Sequence, residues 1–344
     1  MPTVSDTAYV RLVKNPSDLE LAKAFTPTDA ELEFAATHTR QPGPRLMALL
    51  YLKTFQRTGY FTAVADIPVT IVRHIAERSN LLTSAHGMSL YDESTHRTRI
   101  KALVRDYLDV RAYDDGARRI AVTACVGAAA TRDDLPDIIN IALEQLVLHR
   151  FELPAFDALL RIARTARNAV NRRYHHQIAS RLTEADRERL GRLLSCRDGE
   201  RRSAWDGIKE DANRPSVKRM REFITHVKGI SSWSMGGTLK GIPEAKVAQF
   251  AAEAASLNTH DISRMREGKR VALIAALIRH RHAGGLDAMA TMFIRLNRAM
   301  HAQASEQLDT FRKEQAAVTD ALVARLHRAV LACSDNGLAP SDRL

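Results

Sequence analysis

An arginine-rich segment, residues 161–181, carries the clearest candidate chemistry in this sequence. It contains six arginines and no acidic residue. Arginine binds phosphate or guanine and asparagine binds adenine, so a helix that presents these side chains in a row can read a DNA groove. The row consists of Arg161, Arg164, Asn168 and Arg172, and the cluster also includes Asn171, Arg173, His175 and Arg181. A solvated helix face is the alternative, but the segment has no acid to pair with its arginines one turn away, which favours DNA binding.

A second basic cluster lies between residues 96 and 107. Arg97, Lys101 and Arg105 recur every four residues and therefore share one face of a predicted helix, with Arg99 beside them. Together with the helix before it, this segment has the layout of a helix-turn-helix pair. A solvated helix face is again the alternative.

Two further clusters combine basic side chains with features that bind phosphate. Arg40 and Arg45 flank a stiff Gln-Pro-Gly-Pro turn and could clamp a phosphate between them. A helix N-terminus predicted after residue 215 offers free N–H groups and the positive end of the helix dipole. The residues at that terminus are Arg214, Ser216, Lys218 and Arg219.

Catalytic patterns are absent from the sequence. Histidine pairs at 175–176 and 280–282 lack a third zinc ligand, so we interpret them as structural or surface residues. Residues 96–99 match the H-x-x-R motif of tyrosine recombinases, but the last tyrosine is Tyr174, far from the C-terminal position that the nucleophile needs. The acidic residues are scattered and do not form the carboxylate group of a two-metal nuclease. We predict no catalytic residue, metal site, cofactor or small-molecule substrate.

Helix start signals recur along the chain and predict an all-α fold. They place helices from about residues 27 (with Thr26 as the capping hydroxyl before Pro27), 69, 137, 155, 187, 217 and 245, and a long last helix from Ala288 or His301 to Ala332. Residues 119–126 have some β character, but a buried helix explains them equally well. Polar or glycine-rich segments at 113–116, 196–214 and 228–241 are predicted linkers.

These linkers suggest several small helical DNA-binding domains in series, of the helix-turn-helix type. The predicted limits are 1–115, 116–212 with the arginine-rich helix, and 213–333 leading into the long last helix. A disordered tail is predicted at 334–344.

The charge of the chain is strongly basic and unevenly distributed. The 344 residues include 51 Lys and Arg against 40 Asp and Glu, which gives a net charge of +11. Residues 36–111 and 161–225 are net positive and the stretch between them is net negative, so one polyanion could contact both basic blocks. Three widely spaced cysteines predict a reducing compartment. No apolar run approaches the roughly 18 residues of a membrane span, and no signal peptide is visible, so we expect a cytoplasmic protein without a membrane partner.

Several segments together resemble the N-terminal part of the Tn-three family of replicative bacterial transposases, from class II transposons. The similar segments are residues 25–32 (Phe-Thr-Pro-Thr-Asp-Ala-Glu-Leu), 45–52, 91–107, 153–159, 164–194, 214–216 and 239–243. The resemblance covers roughly residues 20–332. It implies that helical domains recognise the terminal inverted repeats of a transposon. In that family, strand cleavage and joining belong to a later RNase H-like domain, whose three carboxylates hold divalent metal.

Double-stranded DNA of a transposon end is therefore the expected partner, and the bacterial nucleoid the expected location. No catalytic residue carries over, so we expect a fragment of a longer transposase or a stand-alone relative. The first hypothesis is a DNA-binding module. The alternatives are a non-catalytic regulator that competes for transposon ends, and a basic helical scaffold for protein interactions.

The last predicted helix suggests self-association. Leu308, Phe311, Val318 and Leu322 keep near-heptad spacing, with Gln315 at one seam position. Such a helix packs on a partner or leads into another domain. A hairpin with residues 288–299 is the alternative.

Overall fold

The computed structural model describes residues 2–82, 95–195, 203–209, 216–233 and 236–335. Their regular structure is helical, which confirms the predicted all-α class, and one isolated parallel β-bridge joins Arg111 to Phe151. The chain forms two compact units. The first unit comprises Met1–Thr183, Gly237–Glu253 and Met265–Leu273, and the second comprises Glu184–Gly236, Ala254–Arg264 and Ile274–Leu344. The domain limits predicted above stay a prediction.

The N-terminal part of the first unit packs around one buried helix. Its elements are α1 (Asp18–Glu20) with a π-helical turn (Leu21–Phe25), α2 (Asp29–His38), α3 (Pro42–Thr58), α4 (Val69–Arg78) and α5 (Thr95–Leu108). Side chains from Leu46 to Leu52 on α3 are buried almost completely and form the core. Helix α2 begins about two residues after the predicted start, because Thr28 and not Thr26 is its cap: the Thr28 hydroxyl accepts the Glu31 N–H, and the Glu31 carboxylate accepts the Thr28 N–H at 2.7 Å.

A three-helix bundle follows in the same unit, made of α6 (Asp115–Ala129), α7 (Leu135–Leu148) and α8 (Phe156–Ala179). Its core residues on α6 are small, namely Ala117, Ala121, Cys125, Ala128 and Ala129. Their helical period explains why residues 119–126 form a helix and not a strand. The linker predicted at 113–116 lies between α5 and α6 only up to Asp114, whose side chain accepts the Ala117 N–H and caps α6, while residues 115 and 116 belong to α6.

Helix α12 (Glu244–Ser256) begins in the first unit, and the second unit contains α9 (Glu184–Arg192), α10 (Ala204–Ile208), α11 (Val217–Ser232) and α13 (Thr259–Ser263). Trp205 anchors the second unit, since its side chain is fully buried and its indole N–H donates to the Leu257 carbonyl. The linker predicted at 228–241 is helical up to Ser232. The linker predicted at 196–214 contains α10, and its segments 196–202 and 210–214 lie outside the described residues.

The last helix, α14 (Glu267–Asp335), is continuous over 69 residues. It includes both segments of the hairpin considered above, so that alternative is wrong. It also begins about 20 residues earlier than predicted, and the tail after residue 335 lies outside the described residues. None of the described helices is both long and apolar enough to cross a membrane.

Candidate nucleic-acid interface

The outer face of α8 presents the arginine–asparagine row to solvent. Leu159, Ala163 and Ala166 on the opposite face are buried in the bundle, which fixes the rotation of the helix. Arg161, Asn168, Arg172 and Arg173 are exposed and Arg164 is half-buried. The side chains of these five residues form no hydrogen bond or ion pair with another described residue. The face therefore offers several donors and positive charges that the fold itself does not use.

Asn171 has a different environment, because it belongs to a buried polar cluster. Its amide nitrogen donates to Asp133 Oδ1 at 2.8 Å, and its amide oxygen accepts from Lys246 Nζ at 3.0 Å. Lys246, on α12, is fully buried and also donates to Asp133 Oδ1 at 3.0 Å. Burial opposes the charge on Asp133, but hydrogen bonds from Asn171 and Lys246 outweigh it and hold the pKa of that carboxyl below its usual value. This cluster ties α8 to α12 and to the chain before α7.

Two other members of the first cluster also point into the fold. The His175 side chain is 9% exposed and its ring lies 4.8 Å from the ring of Phe250, between centroids. Burial, reinforced by the charge of Lys269, lowers the pKa of His175 to about 4, so the ring is neutral at pH 7. Arg181 donates to the carbonyls of Thr238 and Lys240. The accessible part of the cluster is therefore the face from Arg161 to Arg173.

The second cluster, on α5, is divided between the fold and the surface. Arg97 and Arg99 are exposed. The Lys101 ammonium lies 5.1 Å from the centroid of the Phe61 ring, and Arg105 pairs with Glu152 at 2.8 Å. The segment before α5, residues 83–94, lies outside the described residues, so the proposed helix-turn-helix pair stays a prediction.

The two smaller clusters likewise mix exposed and engaged side chains. Arg40 is exposed, whereas Arg45 is half-buried and donates to the Thr39 carbonyl at 3.2 Å, after the end of α2. The stiff turn predicted between them is the first turn of α3, which begins at Pro42. At the start of α11, the capping hydroxyl of Ser216 accepts the Arg219 N–H.

The basic side chains at the start of α11 differ in whether they pair with an acidic residue. Lys218 is exposed. Arg219 pairs with Glu222 at 3.1 Å, so its charge is partly compensated. Arg214 lies outside the described residues. In the described parts of the chain, no three His, Cys, Asp or Glu side chains lie close enough together to hold a metal ion.

Sequence reasoning missed Asp133 and Lys246, which position α8. They are distant in sequence from each other and from Asn171, so no local pattern joins them. The only sequence signal was Lys246 itself, a single lysine on the predicted helix after residue 243. It stands at a position where the helical pattern expects an apolar side chain, which could have indicated that it is buried and paired.

Comparisons with known proteins identify relatives of this chain. Residues 3–166 match a family described as "Domain of unknown function (DUF4158)". The transposase for transposon Tn501 of Pseudomonas aeruginosa is 22% identical over 328 residues, which cover 93% of this chain and 33% of the relative. The transposase for transposon Tn21 of Escherichia coli is 22% identical over 260 residues, which cover 75% of this chain and 26% of the relative. The transposase for transposon Tn3926 of Escherichia coli is 20% identical over 329 residues, which cover 93% and 33%.

This chain thus spans about a third of the length of the curated relatives it matches. The predicted resemblance to transposases of the Tn-three family is confirmed over most of the chain.

Proposed function

We propose that this chain binds the terminal inverted repeat of a transposon, as the DNA-binding, non-catalytic portion of a Tn-three-like transposase. The observation that carries the proposal is the exposed face of α8, whose arginines and asparagine have no partner among the described residues. Binding needs no cofactor. The family resemblance assigns the divalent metal of strand transfer to a later RNase H-like domain. The expected location is the bacterial cytoplasm, at the nucleoid.

The geometry of α8 suits a DNA groove. Its 24 residues span about 36 Å, which matches roughly one turn of duplex. Arg161, Asn168 and Arg172 lie within a narrow sector of the helix, at steps of seven and four residues. We assign phosphate contact to Arg161, and base contact to Asn168 or Arg172, because bidentate side chains discriminate between bases. The apolar side of α8 is buried in the bundle, so truncating the row leaves the core intact.

The test compares alanine variants of these three residues on two duplexes, one carrying the terminal repeat beside the gene and one scrambled. A base-reading residue loses about 1–3 kcal/mol on the repeat and little on the scrambled duplex. A phosphate-contacting residue weakens both equally and lowers the salt slope by about one. Arg132→Ala is the charge-matched control, because Arg132 belongs to the same bundle, is exposed and pairs with Asp137 at 3.5 Å. If all three variants bind the repeat as tightly as the parent, α8 is a solvated face and the proposal fails.

The exposed stripe of α14 supports a second proposal, self-association. Leu308, Phe311, Val318 and Leu322 are 48–60% exposed although they share one side of the helix. A parallel pairing of two copies in register places each Gln315 opposite its twin, where the two amides hydrogen-bond to each other. An apolar partner would leave that amide buried without a partner, which costs free energy. We therefore propose a second copy of this chain as the partner of the stripe.

A further inference from the structure

An open groove of about 570 Å³ runs between α6 and α8. Its floor is aliphatic and includes Val122, Val126 and Ile162. Val122 and Val126 are 39% and 42% exposed, which is unusual for valines that lie side by side on one helix face. Arg118 lines the groove from α6, and Arg161 lines it from α8.

The charge of the groove points to an anionic occupant. No Asp or Glu is among the residues that line it. Both arginines are exposed, and neither guanidinium forms a hydrogen bond or an ion pair within the described part of the chain. Two cations contributed by different helices, over a floor without carboxylates, complement a chain of negative charges that passes between them.

Tyr113 lines this groove and also a second cavity that contains Tyr9 and Tyr60, and its hydroxyl is an unused hydrogen-bond donor. Its hydroxyl oxygen is buried and has no hydrogen-bond partner among the described residues. Burial also raises the pKa of Tyr113, so the phenol keeps its proton. Thr165, also in the lining, cannot serve the same purpose, because its hydroxyl already donates to the Arg161 carbonyl at 2.9 Å.

We propose that this groove holds one sugar–phosphate strand of duplex DNA. Arg118 and Arg161 bind phosphate oxygens from the two sides, Tyr113 donates a hydrogen bond to a phosphate, and the aliphatic floor contacts the C–H surface of deoxyribose. Arg161 belongs both to the groove and to the exposed row of α8, so the two form one continuous surface. That continuity favours DNA over an acidic protein helix. The inference rests on the DNA-binding function proposed above and adds Arg118 and Tyr113 to its contacts.

The first test compares Arg118→Ala with Arg119→Ala. Both arginines are exposed and adjacent on α6, but Arg119 lines a different groove, between α6 and α7. The probe is a fluorescent duplex of arbitrary sequence, titrated at several salt concentrations, because phosphate contacts do not depend on sequence. Arg118→Ala is expected to weaken binding and to lower the salt slope by about one, whereas Arg119→Ala keeps the parent slope.

The second test, Tyr113→Phe, changes no charge. Loss of one hydrogen bond to phosphate is expected to weaken binding about fivefold, and general electrostatic attraction cannot produce that loss. Circular dichroism and melting of each variant verify that the bundle is intact.

The groove assignment is overturned if Arg118→Ala and Tyr113→Phe bind like the parent, or if Arg118→Ala and Arg119→Ala behave alike. If Arg164→Ala and Arg172→Ala weaken binding in the same experiment, the DNA-binding function stands and only the groove is wrong. That pattern is also the one expected if the groove takes an acidic protein helix. If none of these variants weakens binding, the proposed function fails together with the groove.

Discussion

Replacing Lys246 by methionine tests whether the buried polar cluster holds α8 in place. Methionine keeps the length and apolar stem of lysine but removes the charge that Asp133 and Asn171 face. Breaking a buried ion pair costs about 3–5 kcal/mol, because one charge is left uncompensated. Asp133 is 29% exposed and also lies 4.0 Å from Arg167, so water and that guanidinium recover part of the loss. We expect Lys246→Met to lower the free energy of unfolding by about 2 kcal/mol.

The same unit provides a matched control. Lys269 pairs with Glu253 at 2.6 Å, but both side chains are more than one-third exposed. Exposed ion pairs contribute less than about 1 kcal/mol, so Lys269→Met is expected to have a small effect. The measurement is urea unfolding followed by circular dichroism, with the two variants and the parent compared under the same conditions.

A second variant separates the lost charge pair from lost packing. Adding Asp133→Asn to Lys246→Met removes the uncompensated carboxylate, so the double variant is expected to recover part of the lost stability. The reasoning is refuted if Lys246→Met costs no more than Lys269→Met, or if Asp133→Asn makes the double variant less stable than Lys246→Met alone.

Two further predictions concern titration and assembly. The folded pKa of His175, about 4, lies below the unfolded value of 6.5, so its contribution is complete above pH 6.5 and is lost as pH falls towards 4. His175→Phe keeps the ring contact with Phe250 and is expected to remove about 2 kcal/mol of the stability difference between pH 7 and pH 5. Urea unfolding at both pH values measures this, and an unchanged difference contradicts it. Leu322→Glu, on the exposed stripe of α14, is expected to yield monomers in light scattering after size exclusion. Ala324→Glu, on the opposite side of the helix, is the control and is expected to keep the dimer. A monomeric parent chain rules out self-association.

Helix starts were predictable because their signals are local. Helix α2 begins within two residues of the predicted start, although its cap is Thr28 and not Thr26, and the starts of α7, α8 and α12 also lie within two residues of the predicted positions. The start of α14 at Glu267 was not predicted from the sequence. A Cβ at Gly285 would lie 2.8 Å from Val227 Cγ2 on α11. Gly284 and Gly285 lie within α14, and at Gly285 the absence of a side chain permits close packing.

The candidate site was likewise predictable where its residues lie on one helix, and not where it depends on contacts between helices. Helical spacing alone identifies the exposed row from Arg161 to Arg172, because every member lies on one helix. Helical spacing could not exclude Asn171 and His175 from the predicted DNA contacts. Helix α12 covers that side of α8, and its contacting residues lie 70 or more residues away in sequence. Nor could helical spacing find the groove beside α8, which requires the neighbouring position of α6.

The two asparagines of α8 sharpen the assignment of the base-reading residue. Asparagine is a poor helix former, so each of the two costs the helix about half a kcal/mol relative to alanine. Asn171 offsets this cost with two hydrogen bonds, to Asp133 and Lys246, that connect separate parts of the first unit. Asn168 is exposed and has no such bond to any described residue, so the fold gives no reason for an amide at that position. A ligand that uses both the donor and the acceptor of the amide would explain an asparagine at this position. The adenine edge in the major groove has the matching acceptor and donor.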